Sequence, residues 1–229
     1  MSKKPPIEIQ STTLWDYPSQ SFGNRQYGDN LYPGVTPAHI IWNILQRYTK
    51  PGELVVDPMA GSGTTLDVAR DLNRRGMGYD LQPTRNDIFN ADARKLPLPD
   101  QKADCVFIDP PYSTHIKYSG RKECLGELHA NSDSYYKAMK EVISEIHRIL
   151  KKDRHMALYI SDSFEKDKVF MPIGFEIYQL LRQFFKPVDI IAVKRYNKKL
   201  INEEWHQAAV DGNFFMRGFN YLFIMKKEK

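Results

Sequence analysis

The sequence predicts an α/β fold with a doubly wound, mostly parallel sheet. Three observations carry the expectation. From residue 53 onward, strand-length apolar runs alternate with amphipathic helical stretches, and parallel strands need such crossovers. A glycine turn, Gly61-Ser62-Gly63, joins the first of these strands directly to a helix. Two late apolar runs, 188–195 and 219–225, have no strong helical pattern between them, so they are expected to pair antiparallel at the edge.

Each element has its own signal. Residues 1–35 are polar and turn-rich, yet contain Trp15, Tyr17, Phe22, Tyr27 and Tyr32. A disordered tail holds fewer aromatics, so this arm is expected to pack on the body or over a site. Residues 39–48 read as a helix with Ile40, Ile41, Ile44 and Leu45 on one side, Thr36 as N-cap and Pro37 opening it. Residues 53–57, containing Leu54-Val55-Val56, form the first buried strand. A helix over 64–75 turns Leu66, Ala69 and Leu72 inward, with Gly76 as its terminator. Short strands follow at 77–80 and 87–90. Cys105-Val106-Phe107-Ile108 marks a fourth strand over 104–109. The helix over 134–151 is the best defined, with Met139, Val142, Ile143, Ile146, Ile149 and Leu150 at steps of three and four. A strand at 156–160 and a helix at 172–185 complete the alternation. Residues 36–229 are thus expected to form one domain behind the 1–35 arm.

Composition narrows the class. The chain's 229 residues suffice for one sizeable core. Its net charge of +5 favours a polyanionic partner without requiring one. Two cysteines, Cys105 in an apolar run and Cys124 in a polar stretch, point to a reducing, cytoplasmic setting without a disulfide framework. The N-terminus lacks a signal-peptide pattern, and no apolar run approaches the roughly 20 residues of a membrane span. The six histidines show no metal-ligand spacing.

Two segments carry the chemistry. The first is Asp57-Pro58-Met59-Ala60-Gly61-Ser62-Gly63-Thr64-Thr65. Glycines admit close backbone approach, and a helix N-terminus offers unpaired N–H groups to a carboxylate. A dinucleotide loop would place a third glycine where Leu66 stands. The second is Asp109-Pro110-Pro111-Tyr112, at the end of the fourth strand. A doubly wound sheet makes the first and fourth strands neighbours, so Asp57 and Asp109 should meet at the ligand-binding switch point.

Together these segments resemble the cofactor loop and catalytic tetrapeptide of the S-adenosylmethionine-dependent DNA N4-cytosine/N6-adenine amino-methyltransferases. The resemblance implies the seven-stranded, Rossmann-like class I methyltransferase fold with an antiparallel edge strand. It covers about residues 35–225 as an architecture. It implies that the methionine end of S-adenosylmethionine meets Thr36, Asp57, Pro58, Ala60, Gly61, Ser62, Gly63, Thr64 and Thr65, the ribose meets Asp80, and the adenine amine meets Asp92. It implies methylation of an exocyclic base amine. That nitrogen's lone pair is delocalised, and acceptors on Asp109 and Pro110 would draw it toward tetrahedral geometry while Tyr112 stacks on the base. Pro111 stiffens the segment. No cysteine nucleophile is expected near the site, which argues against base-carbon methylation through a covalent adduct.

Basic and aromatic residues supply the expected nucleic-acid grip: Lys117, Arg121 and Lys122 in one loop, and Arg195, Lys198, Lys199 and Arg217 in another. No recognition domain of the size usual in restriction-linked enzymes is visible. The two loops, the arm, a homodimer or a partner subunit would supply recognition, and ribosomal RNA stands beside DNA as substrate. A non-catalytic cofactor-binding subunit is the competing class, and the intact tetrapeptide argues against it.

Overall fold

The computed structural model describes residues 7–29, 34–112, 120–121, 123–164 and 169–228. In chain order its main elements are β1 (Leu14–Trp15), α1 (Ala38–Tyr48), β2 (Leu54–Asp57), α2 (Thr64–Asp71), β3 (Arg75–Asp80), β4 (Ile88–Asn90), β5 (Ala103–Ile108), α3 (Asp133–Ile149), β6 (Leu150–Ile160), β7 (Ser163–Phe164), β8 (Phe170–Met171), α4 (Ile173–Leu181), β9 (Lys186–Lys194), α5 (Glu203–Asp211) and β10 (Phe219–Lys226). Eight strands form one sheet in the order β1-β9-β10-β6-β5-β2-β3-β4. Strand order reverses at β2, which pairs parallel with both β3 and β5. That is the switch point the two motifs required.

The sheet is doubly wound, as expected, with two refinements. An eighth strand comes from the arm, where Leu14 and Trp15 pair parallel with Ala192 and Val193 of β9. The reversed strand, β10, sits between β9 and β6 rather than at the rim. Apolar side chains fill both faces. Met139, Val142, Ile143 and Ile146 of α3 cover one, with Ile173 and Ile177 of α4. Ile40, Ile41, Ile44 and Leu45 of α1 cover the other, joined by Trp15, Tyr17, Phe22 and Tyr27 of the arm. All six residues of β5 are buried, which explains its unbroken apolar reading.

Several expected boundaries shift for physical reasons. The second helix stops at Asp71, not residue 75, because Asn73 turns the chain at φ 58° and frees Arg75 to begin β3. Gly76 is no terminator. It lies in β3 against α2, where a Cβ would stand 3.1 Å from the Cα of Leu66. Its role is close helix–sheet approach. Helix α1 starts at Ala38 with Pro37 as N-cap, and the Thr36 side chain does not cap it. Strand β6 starts at Leu150, directly after α3, so the polar stretch before Met156 is already strand. A helix does separate the last two strands. Of the nine residues of α5 only Ala209 is buried, which left little apolar period to read.

Candidate active site

A cavity of about 790 Å³ opens at the carboxyl ends of β2, β3, β5 and β6. The glycine loop and the tetrapeptide both line it. Asp57, Pro58, Ala60, Gly61, Ser62, Thr64 and Thr65 face it from one side, and Asp109, Pro110, Pro111 and Tyr112 from the other. Thr36, Asp80 and Asp92 also reach it. Gly63 lies just behind, at the N-cap of α2 with φ 81°.

The loop holds its shape through its own carboxylates. Buried Asp57 accepts from the Thr65 hydroxyl (2.5 Å) and the Met59 N–H (3.0 Å). Burial pushes its pKa up to about 7, and nearby Asp80 adds to the rise. Asp80 accepts from the Gly61 N–H (3.0 Å) and the Gln82 N–H (2.9 Å), one bond to each oxygen. Each Asp80 oxygen retains acceptor capacity toward the cavity. Asp92 is bound more tightly. Both its oxygens accept from Arg94, at 2.6 to 3.1 Å. Burial alone would raise the Asp92 pKa, but the Arg94 bonds and charge outweigh it and hold it low.

Asp109 is tied to the segment that leads into α1. The Thr36 hydroxyl donates to it at 2.5 Å. Burial raises its pKa to about 7, against the lowering effect of the Thr36 bond and with a further rise from Asp57. The Tyr135 hydroxyl donates to the Pro111 carbonyl (2.9 Å), fixing the tetrapeptide backbone from below. The Tyr112 phenol is pushed up to about 12, chiefly by burial and then by Asp109.

Three features go beyond the sequence reading, which expected the arm over a site but not its contacts. Arg85 clasps the outer face of the loop. Its guanidinium donates to the carbonyls of Ser62 (3.2 Å) and Gly63 (3.3 Å) and pairs with Asp67 and Asp87. A Cβ on Gly63 would come within 2.4 Å of it. The arm joins the same network: the Gly28 N–H donates to Asp67 (2.9 Å), and a Cβ on Gly28 would meet the Thr64 hydroxyl at 2.4 Å. Tyr17, Pro18, Ser19 and Gln20 of the arm line the cavity. Third, Cys124 is buried and lines the cavity, contrary to the expectation of a polar loop with no cysteine nucleophile nearby. Arg94, which binds Asp92, also donates to the Glu123 carbonyl (3.1 Å), next to Cys124 in the chain.

The expected nucleic-acid residues scatter. Arg195 lines the cavity and donates to the Ser161 hydroxyl (3.1 Å). Lys198 and Lys199 are exposed, with the Lys199 ammonium 4.4 Å from the Trp205 ring centre. The Arg217 guanidinium lies over Phe164 (4.6 Å) and Phe170 (5.0 Å). Arg121 donates to the Leu81 carbonyl (3.0 Å). Lys117 and Lys122 lie outside the described residues.

A sheet wound in this order, with a glycine loop after its first parallel crossover strand and a cavity at the switch point, defines the class I methyltransferase fold. Solved structures share it. TrmN from Thermus thermophilus aligns with TM-score 0.55 at 16% identity, covering 85% of this chain and 50% of its own. A SAM-dependent methyltransferase from Methanosarcina mazei aligns with TM-score 0.53 at 12% identity, covering 81% and 98%. Within that class the family model described as DNA methylase matches residues 2–91 and 103–229, and the chain belongs to this N6/N4 methylase family. The Type II methyltransferase M.HindIII of Haemophilus influenzae is 35% identical over 71 residues, 31% of this chain and 21% of that protein. M.HpaI of Haemophilus parainfluenzae is 24% identical over 168 residues, 66% and 51% respectively. The chain thus spans from a fifth to about half of these curated relatives.

Proposed function

We propose that this chain transfers a methyl group from S-adenosylmethionine to the exocyclic amine of cytosine or adenine in DNA. The observation that carries the reading is the cross-cavity bond from Thr36 to Asp109, which fixes an acidic acceptor opposite the glycine loop. The donor set fits the cofactor. The N–H groups at the start of α2 suit its carboxylate, Asp57 its ammonium and Asp80 its ribose hydroxyls. Asp92, on the cavity wall with Ala91 and Ala93, is assigned to its adenine amine. When bound, the cofactor supplies an electrophilic methyl on a sulfonium.

The chain's own residues do the rest. Asp109 and the Pro110 carbonyl accept the two amine N–H bonds and free the nitrogen lone pair. Tyr112 holds the base by its ring face. The proton leaving the methylated nitrogen passes to Asp109, whose pKa near 7 suits a base at neutral pH. Positioning supplies much of the acceleration. Arg121, Arg195, Lys198, Lys199 and Arg217, with Lys117 and Lys122, are assigned to the nucleic acid. A second subunit is the other source of target recognition, and ultracentrifugation with DNA distinguishes the two.

The test is transfer from labelled cofactor to unmethylated DNA, ribosomal RNA and transfer RNA, with nucleoside mass spectrometry. N4-methylcytosine or N6-methyladenine in DNA is the expected product. Label confined to RNA would move the reading to the RNA amino-methyltransferases. No labelled base in any substrate would overturn it.

A further inference from the structure

Phe215 presents an aromatic ring to solvent with 83% of its surface exposed, while its backbone is braced on several sides. Asn213, at φ 49°, turns the chain out of α5, and the N–H groups of Asn213 and Phe214 bond back to the carbonyls of Val210 (3.2 Å) and Ala209 (3.0 Å). Phe214 packs edge-on against Phe164, with ring centres 6.2 Å apart. Arg217 donates to the Phe215 carbonyl (2.8 Å) while its guanidinium rests on Phe164 and Phe170. The loop returns to the cavity, where the Arg195 N–H donates to the Gly218 carbonyl (2.9 Å) and both Arg195 and Asn220 line the wall. An apolar ring is thus held outward on a braced loop whose foot is the wall of the catalytic cavity.

A base amine in a duplex is paired and stacked, whereas Asp109 lines a cavity at the carboxyl ends of the strands. The base must leave the helix, and the gap it leaves favours refilling. An aromatic ring stacks on neighbouring bases with little regard to sequence. Exposed Lys198 and Lys199, on the same excursion between β9 and β10, supply phosphate contacts from that segment. We infer that Phe215 enters the duplex beside the target and occupies the space of the extruded base. This rests on the base-amine reading above.

The experiment compares methyl transfer to native duplex DNA and to the same DNA heat-denatured, for the parent, Phe215→Ala and Phe215→Trp. Phe215→Ala should lose about tenfold or more in kcat/KM on duplex and stay within about twofold on denatured DNA, because only the duplex must be opened. Phe215→Trp should retain duplex activity. Thermal melting and cofactor binding should match the parent, since the ring has little protein packing to lose. Equal losses on both DNA forms, no loss on either, or a change in oligomeric state accounting for the loss would overturn the assignment. Parent activity on denatured DNA alone would also overturn it. No methylated base in either form would instead overturn the underlying base-amine reading, and this inference with it.

Discussion

On the cofactor side of the cavity, the loop from Asp57 to Thr65 is cross-linked at nearly every turn: Thr65 and Met59 on Asp57, Asp80 on Gly61, and Arg85 on Ser62 and Gly63. On the opposite side, residues 195–218 leave and re-enter the sheet with one buried residue in α5 and with Ile201, Trp205, Val210 and Phe215 facing outward. One wall is shaped before anything binds and the other is thinly packed. The contrast matches the two tasks. Under the proposed function, the cofactor is the same in every turnover and rewards a fixed mould, whereas duplex DNA must be approached, opened and released.

Four measurements break or sharpen this contrast. The largest effect is expected at the hinge between the walls: Asp109→Ala should lower kcat by about 10³-fold, the scale of losing a preorganised group at a site of developing charge. Calorimetry should show cofactor affinity retained, and a joint loss of both would mean that Asp109 belongs to the cofactor mould. Next, Arg85→Met should raise the cofactor KM by about 10- to 100-fold with kcat nearly kept, because charge-assisted bonds to loop carbonyls are lost. A fall in kcat with unchanged KM would place Arg85 outside the mould.

The third measurement uses pH. Asp57 and Asp109 both sit near pKa 7 in the folded protein. Unfolded, they would titrate at about 4, so folding takes up protons between those values. Their contribution to stability is full below about pH 4 and is lost as pH rises through about 7. Cofactor cations favour the ionised carboxylates, so the rise in Tm on adding cofactor should be larger at pH 8 than at pH 5. A pH-independent rise would remove Asp57 from cofactor contact. The smallest effect belongs to the thin wall: Lys198→Ala with Lys199→Ala should weaken DNA binding a few-fold and flatten its salt dependence, with stability changed by less than about 0.5 kcal/mol.

How much the sequence revealed follows the same division. Asp57 and Asp109 were legible as partners because each ends a buried apolar strand, and winding order makes those strands neighbours. Arg85 was not, because its importance comes from the 81–87 turn folding back onto Gly63, and no local pattern encodes that return. Gly28 was hidden likewise, since its meaning lies in Asp67 and Thr64, far along the chain. Helix α5 escaped because periodicity detects only helices that bury a face. Thr36 was read as a cap and, by resemblance, as a residue of the cofactor's methionine end; it lines the cavity without capping α1, and its hydroxyl donates to Asp109.

The reversed course of β10 has one more consequence. A parallel strand is reached from the far end of the sheet, so its incoming connection is a crossover bound into the core. Strand β10 instead begins at the reaction end, and residues 195–218 both leave and return there. That is a splice point. Segments of almost any length can be inserted without moving a crossover helix or changing a strand register. A lineage could exchange the target it reads by editing this one stretch while inheriting its chemistry intact.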